Sequence, residues 1–209
     1  MNSKSAAMMM TLIFLSLVVP VSLTVFAADG LPKGWFKAGS HPQNYEMIVD
    51  AAVRHGGKAA AHIKFIGDKA EGFGTLMQIF KADDYRGKRV RMFAWMKTEN
   101  AESANLWMRL DGERRTLGFD NMGNRAVKGT TEWKRYEITL DVPENAANIA
   151  FGSFVAGKGQ AWVDDFQFEV VGKDVPSTNM LSPEQMKEEQ PMGAAQKYPK
   201  QAVNLDFEG

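Results

Sequence analysis

Three observations predict that the chain folds as an all-β protein, a two-sheet antiparallel β-sandwich or jelly roll. Between Gly34 and Val171, seven segments of alternating or continuous apolar residues each have the length of a β-strand. Turn sequences such as RHGGK, DYRGK and VAGKGQ separate these segments. Helical periodicity is nearly missing from the same region. Short strands at almost regular spacing favour a sandwich or jelly roll over other architectures.

The strand-sized segments follow one another along a domain that we place at residues 28–171. They are KAAAHIKFIG, FGTLMQIFKA, KRVRMFAWMKT, ANLWMRLDG, EWKRYEITLDV, NIAFGSFVAG and QAWVDDFQFEVV. The ambiguous stretch is VDAAVRHGGKAAAH, whose alanines favour a helix. Because Gly56-Gly57 interrupts that pattern, we interpret the stretch as two strands around a turn.

The first 27 residues are predicted to be a signal peptide. Lys4 gives a positive start, MMMTLIFLSLVV gives an apolar core, and Val25-Phe26-Ala27 fits a cleavage site before Ala28. The alternative is an uncleaved membrane anchor, because Met8 to Phe26 is almost long enough to span a bilayer. Pro20 and the polar residues beside it argue against that alternative. We therefore expect an exported, periplasmic or extracellular (secreted) protein with no membrane span after cleavage.

Composition excludes several classes of protein. The chain has no cysteine, which rules out a lipoprotein anchor and disulfide bonds, so its core must stabilise the fold. Lysine and arginine total 25, and aspartate and glutamate also total 25. Because these charges balance and no basic block stands out, we expect no nucleic-acid partner.

After Val171 the composition changes to that of a linker, which we place at residues 172–202. The sequence GKDVPSTNMLSPEQMKEEQPMGAAQKYPKQA carries four prolines and little apolar periodicity. Within it, Ser182-Pro183-Glu184-Gln185 matches a helix start, with a serine cap and a glutamine three residues later. One short helix near residues 183–189 is predicted.

A resemblance to a known family extends over residues 34–174. The sequence GTTEWKRYEITLDVPENAANIAFGSFVAGKGQAWVDDFQFEVVGKD resembles the second half of bacterial galactose-binding-like jelly rolls, an architecture shared by many carbohydrate-binding modules. GWFKAGSHPQNYEM, GFGTLMQ, YRGKRVR, LWMRLDG and FDNM extend the match. It is most similar to the non-catalytic domain found beside tail-specific serine peptidase domains and beside some helix-turn-helix regulators. The resemblance implies a jelly roll that serves as an auxiliary domain.

The same resemblance implies a role for residues 203–209. Members of the family open with a strand similar to NLDFE, whereas here NLDFE occupies residues 204–208. Val203, Leu205 and Phe207 alternate with polar residues, as in a half-buried strand. We expect this segment to form a strand that completes the sheet beside FQFEVV. Two alternatives stay open: a dangling start of a second, truncated copy, and a strand swapped into a neighbouring molecule.

The resemblance also implies a structural calcium site. In similar carbohydrate-binding modules, a glutamate ending the first strand and an aspartate in the last strand help to hold the ion, which points to Asp164, Asp165 and Glu208. Strand alternation places Asp164 on one face with Trp162 and the phenylalanines that follow. A carboxylate there needs a partner or a cation. The alternative is a solvated acidic strand end.

Residues 106–111 carry the candidate ligand site. Leu106, Met108 and Leu110 alternate with three residues of another kind, namely Trp107, Arg109 and Asp111. An aromatic ring with charged neighbours on one exposed face suits sugar recognition, since the ring stacks on the sugar and the charged groups bond its hydroxyls. Three residues of the next segment are expected to join them, namely Asp120, Asn121 and Arg125. The alternative is an ion pair of Arg109 with Asp111 or Asp120 over a packed tryptophan.

A second stripe has the same alternation, on Arg91, Phe93, Trp95 and Lys97. It either extends the candidate ligand surface or forms the other face of a sandwich strand.

Catalysis finds little support in the sequence. It has no H-E-x-x-H metal motif, no G-x-S-x-G elbow and no cysteine nucleophile, although its many carboxylates leave a paired-acid glycosidase open. We expect a non-catalytic module that binds a glycan or another small polar ligand. The alternative is a structural or protein-interaction accessory domain, a stand-alone form of the peptidase-associated domain, with a protein partner.

Overall fold

The computed structural model describes residues 30–189 and 197–209 and shows an all-β, antiparallel architecture within them. The strands are β1 (Phe36–Gly39), β2 (Tyr45–Asp50), β3 (Ala60–Phe65), β4 (Phe73–Lys81), β5 (Arg89–Asp111), β6 (Thr116–Asp120), β7 (Val127–Asp141), β8 (Asn148–Ala156) and β9 (Gln160–Val171). A short 3₁₀ helix, Pro42–Asn44, precedes β2. All pairs are antiparallel, in the order β1-β4-β8-β5-β9-β3-β2, with β6 and β7 also pairing with β5.

The long strand β5 organises the sheet. Two predicted strands, KRVRMFAWMKT and ANLWMRLDG, form this one strand of 23 residues. Its first half pairs with β9 and β7, and its second half pairs with β8 and β6. The expected pair around Gly56-Gly57 is present as β2 and β3, joined by residues 51–59.

One hydrophobic core lies inside the sheet, which curls until it is nearly barrel-like. Phe151 of β8 contacts Phe166 and Phe168 of β9, with ring centroids 5.4 and 4.9 Å apart. Because β8 and β9 pair with different halves of β5, these contacts require the sheet to fold over its own inner face. Inner residues of β5 belong to the same core, among them Met92, Met96, Leu106, Met108 and Leu110.

A bulge in β9 corrects one expectation about its faces. Alternation placed Trp162 and Asp164 on the same side as Phe166, but Asp165 adopts a φ of 54° and the pairing register shifts beside it. Phe166 therefore faces the core, where it is 1% exposed, whereas Trp162 stacks on His62 with ring centroids 4.5 Å apart. One extra residue in a strand reverses the side of every residue beyond it.

The linker begins by following the edge of the sheet. Thr178 N–H donates to Thr139 O (2.7 Å) and Met180 N–H donates to Phe119 O (2.8 Å). The helix in it is a 3₁₀ turn of three residues, Gln185–Lys187, shorter than expected. The expected capping pair is present, since Gln185 N–H donates to Ser182 Oγ (3.3 Å) and Ser182 N–H donates to Gln185 Oε1 (2.9 Å). Residues 190–196 lie outside the described part of the linker.

Residues 203–209 dock onto their own chain without forming a strand. Asn204 and Phe207 have φ of 49° and 57°, which interrupts an extended strand. Phe207 is nevertheless 2% exposed and packs on Trp35 with ring centroids 4.9 Å apart. The segment therefore covers one end of the core in an irregular conformation and does not add the expected strand.

Hydrogen bonds from β4, from β9 and from Trp35 before β1 hold this docked segment. The Gln78 side-chain amide bonds both main-chain groups of Val203, donating to its O (2.6 Å) and accepting from its N–H (3.1 Å). Phe166 N–H donates to Leu205 O (3.0 Å). Trp35 Nε1–H donates to Asn204 O (2.9 Å). Together they replace the ladder that a regular strand would have made.

Two expectations concern membranes and export. Within residues 30–189 and 197–209, no helix is both long and apolar enough to cross a bilayer. The signal-peptide prediction for residues 1–27 lies outside the described residues.

Candidate binding groove

A groove of about 460 Å³ runs over the outer face of β4, β8 and the second half of β5. Its volume falls in the range of small-molecule sites, roughly 300–1,000 Å³. The residues that line it are Ala38, Gly39, Phe73, Thr75, Met77, Trp107, Arg109, Phe119, Asn121 and Phe154. Three of them, Trp107, Arg109 and Asn121, are among the six expected ligand-binding residues.

Trp107 lies across the sheet instead of pointing out from it. Its Nε1–H donates to Thr75 Oγ1 (2.8 Å), although β8 separates the strands of these two residues. Gly152 pairs with both Trp107 and Met77, and a side chain there would collide with the backbone of β4. The ring is 8% exposed and packs outside the main core, with Met77 and Ala150. It is a fixed aromatic surface in the groove.

Phenylalanine side chains form much of the apolar wall. Phe73 and Phe154 meet edge to face with centroids 5.5 Å apart, and Phe73 is 37% exposed. Phe119 pairs with Arg109 across β5 and β6. Alternation does not single out Phe73 and Phe154, because β4 and β8 are apolar on both faces and the pattern does not show which face is outward.

The polar part of the groove consists of Arg109 and Asn121. Arg109 donates from Nε (2.7 Å) and Nη2 (3.0 Å) to the two carboxylate oxygens of Asp111. Asn121 Oδ1 accepts from Gly123 N–H (3.0 Å). Among the described residues, Arg109 Nη1 and Asn121 Nδ2 have no hydrogen-bond partner, so both retain donors for a ligand. Asp111 therefore orients Arg109 through an ion pair, which is the alternative stated for this residue in the sequence.

Asp120 and Arg125 lie together but outside the groove lining. Asp120 is fully buried, and its carboxylate accepts from Arg125 Nη2 (2.6 Å) and from Met122 N–H (2.7 Å). Arg125 also donates to Glu137 O (3.0 Å). Because strand alternation turns Asp120 away from Phe119, this pair fixes the turn after β6.

The expected metal ligands converge on the turn at residues 55–58. Asp164 Oδ2 accepts from His55 N–H (3.2 Å) and Gly56 N–H (3.3 Å). Asp165 Oδ2 lies 3.2 Å from His55 Nδ1. Glu208 Oε1 accepts from Lys58 N–H. In the described structure, the hydrogen-bond partners of these three carboxylates are thus main-chain amides and a histidine.

Burial changes the acidity of Asp164. Its side chain belongs to a residue that is 2% exposed, and this desolvation raises its pKa from 3.8 to about 6, with a further increase from the nearby Asp165. Hydrogen bonds from the turn amides act in the opposite direction. In the part of the chain that the structure describes, no three histidine, aspartate or glutamate side chains are grouped as metal ligands.

A second hollow, of about 590 Å³, lies beside residues 52–57, Lys97 and Trp133. Two of its side chains pack or bond to residues beside it. His55 stacks on Trp95 with centroids 4.0 Å apart, and Lys97 Nζ donates to Glu132 Oε2 (2.7 Å). The stripe that includes Trp95 lies on the first half of β5, and none of its residues lines the groove. We therefore take the groove as the candidate site.

Comparison with known sequences gives one curated relative. No protein-family model matches the chain. It is 45% identical over 180 residues to the uncharacterized HTH-type transcriptional regulator YbfP of Bacillus subtilis (strain 168). The match covers 84% of this chain and 57% of that protein, so the chain spans a little over half of the relative's length.

Three solved structures of similar shape are distant from this chain in sequence. The enzymatically active domain of tailspike protein 4 from bacteriophage CBA120 has a TM-score of 0.52 and 10% identity, covering 66% of this chain and 20% of that one. The module TmCBM61 in complex with β-1,4-galactotriose has a TM-score of 0.48 and 17% identity, covering 68% and 92%. The CBM22-1 xylan-binding domain of Paenibacillus barcinonensis Xyn10C has a TM-score of 0.48 and 16% identity, covering 68% and 88%. At such identities the likeness concerns the fold alone.

Proposed function

We propose that this protein is a non-catalytic module that binds a glycan in the groove over β4, β8 and β5. The observation that carries the proposal is the position of Trp107, whose ring is held by Thr75 in the groove beside the free donors of Arg109 and Asn121. Sugar rings have an apolar face and hydroxyl groups at their edges. An aromatic surface with polar groups at one side therefore complements both parts of a sugar.

Rigidity supports the same proposal. Thr75 holds the indole of Trp107, Asp111 holds the guanidinium of Arg109, and Gly123 holds the amide of Asn121. A ligand that enters the groove meets side chains already in position, which reduces the entropy lost on binding.

The proposal includes a two-sheet jelly roll and export of the protein. A jelly-roll arrangement of two sheets agrees with the way β5 serves two sets of strands. Export through the predicted signal peptide would give the module access to polysaccharide outside the cytoplasm.

The test is binding of Arg109→Ala to soluble oligosaccharides, measured by calorimetry after a glycan array has identified a ligand. We expect at least a tenfold loss of affinity, because one charged donor in such a site contributes about 1.5–3 kcal/mol. The matched control is Arg135→Ala. Arg135 has similar exposure, 39% against 40% for Arg109, but its guanidinium lies over Phe93, outside the groove lining.

Two results would contradict the proposal. One is equal loss of binding in the two arginine variants, which would indicate a non-specific charge effect. The other is an array without any glycan signal, together with capture of a protein partner by the chain. That second result would favour the accessory-domain alternative.

A further inference from the structure

The hydrogen-bonding groups that the groove leaves free are mainly donors. The Trp107 indole N–H is used by Thr75, and the Thr75 hydroxyl in turn donates to Ser153 O (2.8 Å). Within residues 30–189 and 197–209, the lining side-chain atoms that keep unused hydrogens are Arg109 Nη1, Arg109 Nη2 (its second hydrogen) and Asn121 Nδ2. A ligand must therefore present an acceptor oxygen to this end of the groove.

Charge indicates that this acceptor is neutral. Both carboxylate oxygens of Asp111 bond to Arg109, at 2.7 and 3.0 Å, so the guanidinium charge is already balanced. An anionic group would approach Asp111 as well as Arg109 and would gain little net attraction. A carbonyl oxygen accepts the same hydrogen bonds without that repulsion.

The remaining lining is more apolar than a ligand rich in hydroxyls requires. Besides Trp107, the groove presents Met77 and the rings of Phe73, Phe119 and Phe154. These side chains offer no hydrogen-bond partner to a hydroxyl, and burying an unpaired hydroxyl against them costs free energy. A methyl group buried in the same place would contribute about 0.8 kcal/mol.

An acetyl group joins these two requirements, since it carries a neutral carbonyl oxygen and a methyl group two bonds apart. We infer that the groove selects acetylated sugars, with the carbonyl accepting from Arg109 and Asn121 and the methyl packed against Phe119, which pairs with Arg109 across β5 and β6. This inference rests on the proposed glycan binding and specifies its ligand. The acetyl group has two sources, an N-acetyl amide on an amino sugar and an O-acetyl ester on a hydroxyl.

The experiment compares pairs of neutral oligosaccharides of the same backbone, of which one member carries acetyl groups, by calorimetry with the full chain. N-Acetylchitohexaose and cellohexaose share a β-1,4-linked glucose backbone, both are neutral, and they differ at C2. Acetylated xylohexaose and the same material after alkaline deacetylation form the ester pair. We expect at least tenfold tighter binding of the acetylated member in at least one pair, and the pair in which this occurs identifies the source.

Saturation-transfer NMR gives a second readout that needs no variant. The acetyl methyl protons should receive the strongest saturation of any protons in the ligand. A Phe119→Ala protein should bind the acetylated sugar less tightly while its affinity for the unacetylated partner changes little.

The outcomes separate this inference from the proposal beneath it. Equal binding of both members of each pair would overturn acetyl selection and leave glycan binding intact. No binding of any hexasaccharide, together with a silent glycan array, would overturn both.

Discussion

At the scale of single residues, hydrogen-bonding partners decide what each selected side chain does. Arg109 and Arg125 are both arginines near carboxylates in the sequence, yet Arg109 lines the groove and Arg125 fixes a turn. The difference follows from Asp120, which is fully buried and forms an ion pair with the Arg125 guanidinium. Residue type and spacing alone do not contain this information, because it depends on which neighbour the fold brings closest.

The buried carboxylate of Asp164 predicts a pH dependence of stability in metal-free protein. Its pKa is raised to about 6 in the folded state, above the ordinary value of 3.8, so the folded state binds its proton more tightly than the unfolded state does. This contribution to stability is therefore present below pH 4 and is lost as the pH rises to 6, by at most about 3 kcal/mol.

The measurement is the urea midpoint between pH 4 and 7 in the presence of EGTA. Asp164→Asn should flatten the profile relative to the unchanged protein, since the amide does not titrate, whereas the exposed Asp68→Asn should leave it unchanged. Parallel profiles for Asp164→Asn and the unchanged protein would contradict the assignment.

A structural calcium ion at Asp164, Asp165 and Glu208 stays a prediction, and it has a direct test. If these carboxylates turn from the 55–58 amides to an ion, added calcium should raise the melting temperature, because a ligand that binds only the folded state stabilises it. EGTA should reverse the increase, and Asp165→Ala should abolish it. A melting temperature that changes with neither calcium nor EGTA would contradict the calcium-site prediction.

At the scale of elements, alternation predicted strand identity well and strand faces less well. The segments from residues 73–82 and 160–171 are strands β4 and β9, almost to the residue. The bulge at Asp165 then reverses the faces within β9. A bulge depends on the main-chain geometry of the partner strand and leaves no regular pattern in the sequence.

The docked segment at residues 203–209 shows the same limit. Its alternation predicted burial, and Phe207 is buried, but positive φ at Asn204 and Phe207 prevents a strand. Packing against Trp35 and the main-chain bonds of Gln78 determine the irregular path. These partners lie more than 120 residues away along the chain.

Phe207→Ala should lower the free energy of unfolding by about 2–4 kcal/mol, toward the lower part of the usual range for buried phenylalanine. The loss is limited because the segment can undock once its anchor is gone. Deleting residues 203–209 should therefore cost little more than the single substitution.

Urea unfolding followed by tryptophan fluorescence measures both effects, and Val203→Ala is the control. Val203 is 45% exposed, so its truncation should change stability by less than about 0.5 kcal/mol. Equal stability of Phe207→Ala and the unchanged protein would show that the segment does not close the core. A dimer that disappears on deletion would show that it docks between molecules instead.

At the scale of the whole molecule, the groove exists because the strand order places β4, β8 and β5 side by side. Trp107, Thr75 and Phe154 belong to these three strands, and their side chains meet on the outer face while the opposite face covers the core. The sequence indicated that Trp107 and Arg109 share a face, since that depends on one strand. Which neighbouring strands complete the surface depends on sheet order, and the apolar character of both faces of β4 and β8 hides it.

The most direct test of ligand binding in this groove is a titration of ¹⁵N-labelled protein with an oligosaccharide that binds, followed by amide chemical shifts. We expect the largest changes at Gly39, Thr75 and Phe154 and at the Trp107 indole, with residues 54–57 and Trp133 unaffected. Changes centred on residues 54–57 and Trp133 instead, with the Trp107 indole unmoved, would contradict the account.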